Sequence, residues 1–397
     1  MYPERMACSL KVLALLLYAS AAPAQSNPDL CQETRAIAEE LTQISGLKLR
    51  HPVPCSLITK AQVNEFLNKR IQEETKPDDI RAEELTLKKF GLVPQDFDLA
   101  RTTVDLLTEQ AAAFYDYEGK ETGRKELFIT ESSTTEPQEP VLAHELSHAL
   151  ADQNFNLKRF IHQGRKSDDG STARLAVMEG QATWLMSEYL ARHNGQSLKT
   201  SPALVAMMST VSDSGGGQYP VFDKAPLYLR LSLVFPYTKG MLFQHALVER
   251  DSTEGFSEVF RHPPLSTQQI IHPDKYFTGV KPTDPPLPDP HLPGYKGLVG
   301  GSLGEMEHEI LLEQYAGKER AEALAPHWRG CNFELRENKK AQSVVLLYAV
   351  DWDSEESARQ YFAAYREILG RKWKQMTVSA DGPDTVTGVG DGGRFEL

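Results

Sequence analysis

The chain has 397 residues and more acidic than basic side chains, which gives a formal net charge of −12 at pH 7. A chain of this length can bury a large hydrophobic core and normally divides into two or three units. The negative charge disfavours nucleic acid and anionic membrane surfaces as partners, because both repel an acidic protein.

The first 24 residues are typical of a cleaved signal peptide. Basic Arg5 and Lys11 precede the apolar run 12–17, and the small residues 22–24 suit a cleavage site. The apolar run is too short for a permanent anchor, and no other run is long enough to span a bilayer. The sequence therefore predicts an exported protein, periplasmic or extracellular, with no integral membrane anchor.

Three cysteines follow this segment, namely Cys31, Cys55 and Cys331. Cys31 and Cys55 flank a short helical segment, so we expect them to form a disulfide in an oxidising compartment. Cys331 is then left over. A buried thiol is favoured over a nucleophile, because no histidine-and-amide pattern accompanies it.

Residues 25–107 are predicted to be mainly helical, with helices over 32–44, 59–74 and 98–108 separated by prolines. The region carries no chemical motif. It is either part of the domain that follows or a removable prosegment, and the sequence leaves both open.

Aromatic and β-branched runs at 114–117 and 126–130 surround Gly119 and Gly123 and predict a β-hairpin. An exposed edge strand here would bind an extended peptide by adding it to the sheet. The hairpin also has a purely structural interpretation, in which it packs over the helix that follows it, and the two roles are compatible.

A helix is predicted over 141–153, and it contains the sequence His-Glu-Leu-Ser-His from His144 to His148. Residues four apart share a helix face, so His144 and His148 can bind one metal ion, and Glu145 can reach a water beside it. Buried helical histidines often serve local hydrogen bonds alone, so the motif needs a third ligand. Asp152 either orients a ligand histidine or ends the helix.

A second helix is predicted over 172–193, and its Glu179 is flanked by apolar residues on both sides. A buried unpaired carboxylate is costly, and a nearby cation relieves that cost. Glu179 is therefore the candidate third ligand, against the alternative of a solvated glutamate. His162, in the loop between the two helices, is expected at the surface rather than at the site.

Residues 196–225 are rich in Ser, Gly and Pro and predict a mobile surface loop or a plain linker. A third apolar helix is expected to start at Pro236, which places Tyr237 near its beginning; Tyr237 either donates to an oxyanion or is structural. Residues 262–297 are rich in proline and predict an extended segment. Helices are predicted over 303–313 and 318–324.

From residue 326 to 397 the pattern predicts a small β-β-α-β module. Strands are expected at 332–336 and 343–350, a helix at 354–369 and a further strand near 374–378. The predicted fold class is thus α+β, with a mainly helical domain, a small antiparallel hairpin or sheet, and this C-terminal module.

The motif around His144 together with Glu179-Gly180 resembles the gluzincin metallopeptidases, which are thermolysin-like zincins of the peptidase MA-like superfamily. The segments EQAAAFYDYEG, MEGQATWLM and FPYTKGMLF look like those of an exported bacterial family whose substrates are mostly unassigned. The resemblance implies a zincin-like peptidase domain over residues 108–325. It also implies that His144, His148 and Glu179 bind Zn²⁺, with Glu145 as the general base and Tyr237 near the metal.

These expectations indicate a zinc-dependent hydrolase that acts on a peptide or protein substrate, and an endopeptidase in the first place. An aminopeptidase is the alternative within the same class, although no GxMEN-like segment precedes the metal helix. A non-catalytic binding or envelope-structure protein on a zincin scaffold is the third. The oligomeric state does not follow from the sequence.

Overall fold

The computed structural model describes residues 30–59, 61–63, 65–66, 69, 76–110, 113–130, 138–164, 167–209 and 219–397. The predicted signal peptide and the Ser/Gly-rich centre of the 196–225 segment lie outside these residues, as does much of the predicted helix 59–74. The fold class is α+β, as predicted, with small sheets among many helices.

The N-terminal region contains helices α1 (Leu30–Ser45), α2 (Pro77–Phe90) and α3 (Leu99–Gln110) and strand β1 (Cys55–Ile58). The predicted disulfide between Cys31 and Cys55 is present. Helix α2 is not among the predicted helices, because a proline such as Pro77 usually interrupts a helix. In the structure Pro77 occupies the start of the helix, where its missing N–H costs nothing.

The predicted hairpin consists of β2 (Ala113–Asp116) and β3 (Glu126–Thr130), which pair antiparallel. Strand β1 adds to β3 in parallel, so the sheet order is β1-β3-β2. All four residues of β2 are buried. Strand β2 packs against the following helix, as the packing interpretation predicts, and it is also an edge strand of its sheet. Addition of a peptide to this edge stays a prediction.

Helices α4 (Gln138–Phe155), α5 (Leu157–Gly164) and α6 (Asp168–His193) form the centre of the molecule. Helix α4 packs against β2 on one side and against α1 and α6 on others. It is buried nearly all round, and Leu142, Leu146 and Leu150 are 0% exposed. An apolar helix of this kind gains its stability from tertiary packing on several faces.

Helices α7 (Pro202–Met208) and α8 (Pro220–Lys224) lie in the segment predicted as a loop, and α9 (Leu227–Asp251) follows. The prediction that this third helix begins at Pro236 is wrong, because Pro236 lies inside it. An interior proline removes one helical hydrogen bond and costs about 3 kcal/mol. Extensive packing of α9 along α6 compensates for that cost.

The segment 262–297 is only partly extended. It contains α11 (Thr267–Ile271) and α12 (Pro273–Phe277), which follow α10 (Gly255–Arg261). Helix α11 is stabilised at its start by Ser266, whose side chain accepts a hydrogen bond from the backbone N–H of Gln269. A stretch without regular structure then runs to strand β4 (Lys296–Gly301).

Beyond β4 come α13 (Glu305–Ala316) and α14 (Lys318–Leu324), as predicted. Strands β5 (Trp328–Asn338) and β6 (Ser343–Trp352) form an antiparallel sheet in the order β4-β5-β6, and α15 (Glu355–Lys372) follows. Strands β7 (Met376–Asp381), β8 (Val386–Gly390) and β9 (Gly393–Glu396) form a sheet of their own. The predicted third strand of the β-β-α-β module therefore belongs to a separate sheet.

Cys331 on β5 is a buried free thiol, as expected. Within the described ranges, none of the helices combines the length and the hydropathy that a membrane span requires.

Candidate metal centre

His144 and His148 lie one turn apart on α4 and point at the same place. The two residues are 0% and 3% exposed, and their Nε2 atoms are 3.0 Å apart. The helix fixes this geometry, because a spacing of four residues brings side chains to the same face.

Glu179 comes to the two histidines from α6. This helix begins with a conventional N-cap, in which Ser167 accepts from the N–H of Gly170, and Asp168 and Asp169 lie in its first turn. Glu179 Oε2 lies 3.2 Å from His144 Nε2 and 3.3 Å from His148 Nε2, and the side chain is buried. Among the described residues, these three form the group that could hold a metal ion.

The separations of the three donor atoms fit a tetrahedral metal. Zinc binds histidine nitrogen and carboxylate oxygen at about 2.0–2.1 Å, so its ligand atoms lie roughly 3.3 Å apart. The observed separations are 3.0, 3.2 and 3.3 Å. A distance of 3.0 Å between the two Nε2 atoms also requires a proton or a cation between them, because two bare lone pairs would repel. The residues present therefore fit a cation at this point.

The pKa values of the three side chains show how strongly they interact. Burial alone would raise the pKa of Glu179, but His148 and His144 lower it to about 2. Burial lowers the pKa of His144 to about 4. Burial also tends to lower the pKa of His148. The carboxylates of Glu179 and Glu145 outweigh this effect, so the pKa of His148 is raised. Glu179 is thus held as a buried anion, and either a protonated His148 or a bound cation supplies the positive charge that it needs beside it.

Glu145 lies next to these candidate ligands on α4 and is 1% exposed. Its Oε2 accepts a hydrogen bond of 2.8 Å from the backbone N–H of Tyr115 on β2. Its Oε1 has no hydrogen-bond partner in the part of the chain that the structure describes. Burial raises the pKa of Glu145 to about 8, although His148 opposes the shift.

Tyr237 reaches the site from α9. Its ring centroid is 6.1 Å from that of His144, with 30° between the ring planes, and the side chain is buried. Gly180 and Gly240 allow this approach, since a Cβ on Gly180 would lie 2.1 Å from the carbonyl carbon of Gly240. The structure therefore brings together His144, Glu145, His148, Glu179 and Tyr237.

Two other candidates do not join the site. Asp152 accepts from Tyr115 Oη, Lys125 Nζ and the backbone N–H of Leu157, so its carboxylate is occupied without a ligand histidine. His162 lies on α5, where its side chain is 41% exposed and pairs with Glu118 at 3.4 Å. Its predicted place at the surface is confirmed.

Sequence reasoning missed Tyr115. The group that contacts Glu145 is its backbone N–H, and a backbone donor leaves no signature in the sequence. The predicted hairpin directly before α4 was the one feature of the sequence that indicated a strand near Glu145.

No protein-family model, curated protein or solved structure matches this chain. The geometry of the site itself must therefore carry the functional inference.

Proposed function

We propose that the protein is an exported zinc-dependent metallopeptidase of the gluzincin type, with a zincin-like domain, and that it cleaves within peptide chains. The observation that carries the proposal is the convergence of His144 Nε2, His148 Nε2 and Glu179 Oε2, with the Glu145 carboxylate beside them. Two imidazoles and one carboxylate form the donor set of catalytic zinc sites that keep an open position.

Zinc is the ion that this donor set favours, with His144, His148 and Glu179 as its ligands. When bound, zinc supplies Lewis-acid stabilisation of negative charge and makes water a better nucleophile near neutral pH.

Glu145 acts as the general base and then as the general acid. Its carboxylate takes a proton from water while the water oxygen forms a bond to the peptide carbonyl carbon. It then gives that proton to the nitrogen as the C–N bond breaks, which leaves a carboxylic acid and an amine, and the acid loses its proton to solvent. The hydrogen bond to Oε2 leaves Oε1 for the proton, since Oε1 has no partner among the described residues.

Tyr237 is the candidate donor to the carbonyl oxygen as negative charge develops on it. The ring lies against His144 and is buried, so the phenol is in a region that excludes water. A hydrogen-bond donor in such a region stabilises an oxyanion more than it would in bulk solvent.

Export is supported by the disulfide between Cys31 and Cys55, because disulfides persist in oxidising compartments. The proposed partner is a peptide or protein, since the acidic chain disfavours nucleic acid.

The burial of the site favours a second candidate, a non-catalytic protein that uses the metal to stabilise a zincin scaffold. His144, Glu145, His148 and Glu179 are each at most 3% exposed, so a peptide does not reach them in this conformation.

The test is cleavage of a diverse peptide mixture by the zinc-loaded protein, with Glu145→Gln measured beside it. The proposal predicts internal cleavage by the wild type, loss of cleavage in the variant, and equal zinc content in both. Trimming from one end would indicate an exopeptidase. Absence of cleavage by a zinc-loaded wild type would favour the scaffold candidate.

A further inference from the structure

Tyr115 contacts the metal-binding helix α4 at two points. Its backbone N–H donates to Glu145 Oε2 over 2.8 Å, and its phenol donates to Asp152 Oδ2 over 3.1 Å. Glu145 and Asp152 are seven residues apart, which places them on the same helix face about 10.5 Å apart along the axis. One residue of β2 therefore spans two turns of α4, with the proposed general base at one end.

Asp152 is itself held in place by two further groups. Lys125 Nζ lies 2.7 Å from both carboxylate oxygens, and the backbone N–H of Leu157 donates to Oδ1 over 2.9 Å. The side chain of Asp152 is 2% exposed, whereas that of Lys125 is 40% exposed. Asp152, which accepts the hydrogen bond from the Tyr115 phenol, is thus fixed by Lys125 on the surface side and by the first residue of α5, Leu157, on the other side.

The phenol is a permanent donor in this arrangement. Burial, together with the neighbouring Asp152, raises the pKa of Tyr115 well above its usual value, so the hydroxyl keeps its proton. The bond to Asp152 therefore holds the aromatic ring, and with it the backbone of β2, at a constant position across the neutral pH range.

Glu145 depends on this backbone for its own position. The Tyr115 N–H is the hydrogen-bond donor that the structure records for its carboxylate, and Oε1 has no partner within the described ranges. A group that transfers protons in two successive steps must stay within about 0.5 Å of the productive geometry. A shift of β2 along α4 would move the carboxylate out of that range.

We propose that Tyr115 is a positioning residue for Glu145, and that Asp152 and Lys125 make it one by anchoring its phenol. This inference rests on the proposed role of Glu145 as the general base. Tyr115 itself takes no part in bond making or breaking.

The principal variant is Tyr115→Phe, which keeps the ring and the backbone N–H and removes only the hydroxyl. Amide hydrogen exchange at residue 115, measured in the metal-free protein, should accelerate about tenfold, because the bond to Glu145 opens more often. In the zinc-loaded protein kcat should fall about tenfold, with KM and zinc affinity changed less than twofold.

The matched control is Tyr189→Phe. The Tyr189 phenol donates to Glu139 over 2.5 Å, so this variant also removes a phenol–carboxylate bond to α4, but at the opposite end of the helix from Asp152. Exchange at residue 115 and kcat should both stay at wild-type values. A second variant, Lys125→Gln, changes a partly exposed side chain and should accelerate exchange at residue 115 in the same direction as Tyr115→Phe.

The two readouts separate this inference from the proposed function. Unchanged exchange at residue 115 in both Tyr115→Phe and Lys125→Gln would overturn the positioning role, whether or not the protein cleaves peptides. A change in KM with constant kcat would overturn it as well. A wild type without peptidase activity would refute the proposed function, and the exchange experiment would still decide whether Tyr115 holds Glu145.

Discussion

Gly180 and Gly240 bring α6 and α9 into direct backbone contact beside the candidate metal centre. A Cβ on Gly180 would lie 2.1 Å from the carbonyl carbon of Gly240, and a Cβ on Gly240 would lie 2.2 Å from the carbonyl oxygen of Ala176. Glu179 precedes the first glycine, and Tyr237 lies one turn before the second. The contact therefore sets the distance between the candidate metal ligand Glu179 and the proposed oxyanion donor Tyr237.

Replacement of Gly180 by alanine should destabilise the protein by about 3 kcal/mol, because neither backbone can move aside without repacking the core. Urea unfolding would measure the loss. Gly370→Ala is the matched control, since Gly370 is also helical but a Cβ there would meet only Met376 Cε at 3.7 Å. That control should be neutral or slightly stabilising, and equal losses in the two variants would contradict the prediction.

Glu179→Gln should weaken zinc binding by more than about a hundredfold, because it replaces a charged ligand, and even changes outside the ligand shell cost ten- to a hundredfold. The comparison is Glu188→Gln, a buried carboxylate on the same helix that binds Arg192, Ser197 and the N–H of Leu198. Competition with a chelating dye would measure the zinc affinity, which should fall in Glu179→Gln and stay unchanged in Glu188→Gln. Equal affinity in Glu179→Gln and wild type would remove Glu179 from the ligand set.

Tyr237→Phe should lower kcat about a hundredfold and leave zinc content unchanged, as expected for the loss of one donor to a developing oxyanion. Tyr228→Phe serves as the control, since Tyr228 is a buried tyrosine on the same helix, more than two turns away. Steady-state kinetics on a peptide identified by the cleavage assay would measure both. An unchanged kcat in Tyr237→Phe would assign the residue a packing role.

His308 should make the protein less stable in acid. It is fully buried, its Nδ1 lies 2.7 Å from the carbonyl oxygen of Gly304, and its Nε2 lies 2.7 Å from the Tyr348 hydroxyl. Burial lowers its pKa to about 4, against about 6.5 in the unfolded chain.

The unfolded chain therefore binds a proton between about pH 6.5 and pH 4 that the folded protein does not bind. The stability due to neutral His308 is complete above pH 6.5 and is lost as the pH falls toward 4, about 2 kcal/mol between pH 7.5 and pH 5. Urea unfolding at the two pH values should show a smaller pH dependence for His308→Gln than for the wild type. An identical change in the free energy of unfolding between the two pH values would show that His308 does not contribute to the pH dependence of stability.

Much of the fold followed from local pattern. The α+β class, the hairpin before α4, the helices around residues 144 and 179 and the disulfide were all predicted. The errors concentrate at prolines and glycines. Pro77 starts α2 and Pro236 lies within α9, because the effect of a proline depends on whether its surroundings compensate for the missing N–H.

Strand β4 was missed for a related reason. Its sequence, Lys-Gly-Leu-Val-Gly-Gly, has little strand propensity, and it becomes a strand by pairing with β5 at the edge of a sheet. The separate sheet of β7, β8 and β9 was also invisible, because alternation in a sequence predicts strands but not their partners.

The sequence by itself determined the spacing of His144, Glu145 and His148, since helix geometry converts a four-residue interval into a shared face. It also marked Glu179 as a carboxylate in apolar surroundings. Only the tertiary structure decided that Glu179 meets the histidines, that Gly180 lies on Gly240, and that the Tyr115 N–H holds Glu145. These contacts join separate elements, so they depend on how helices and strands pack, and no local pattern encodes that packing.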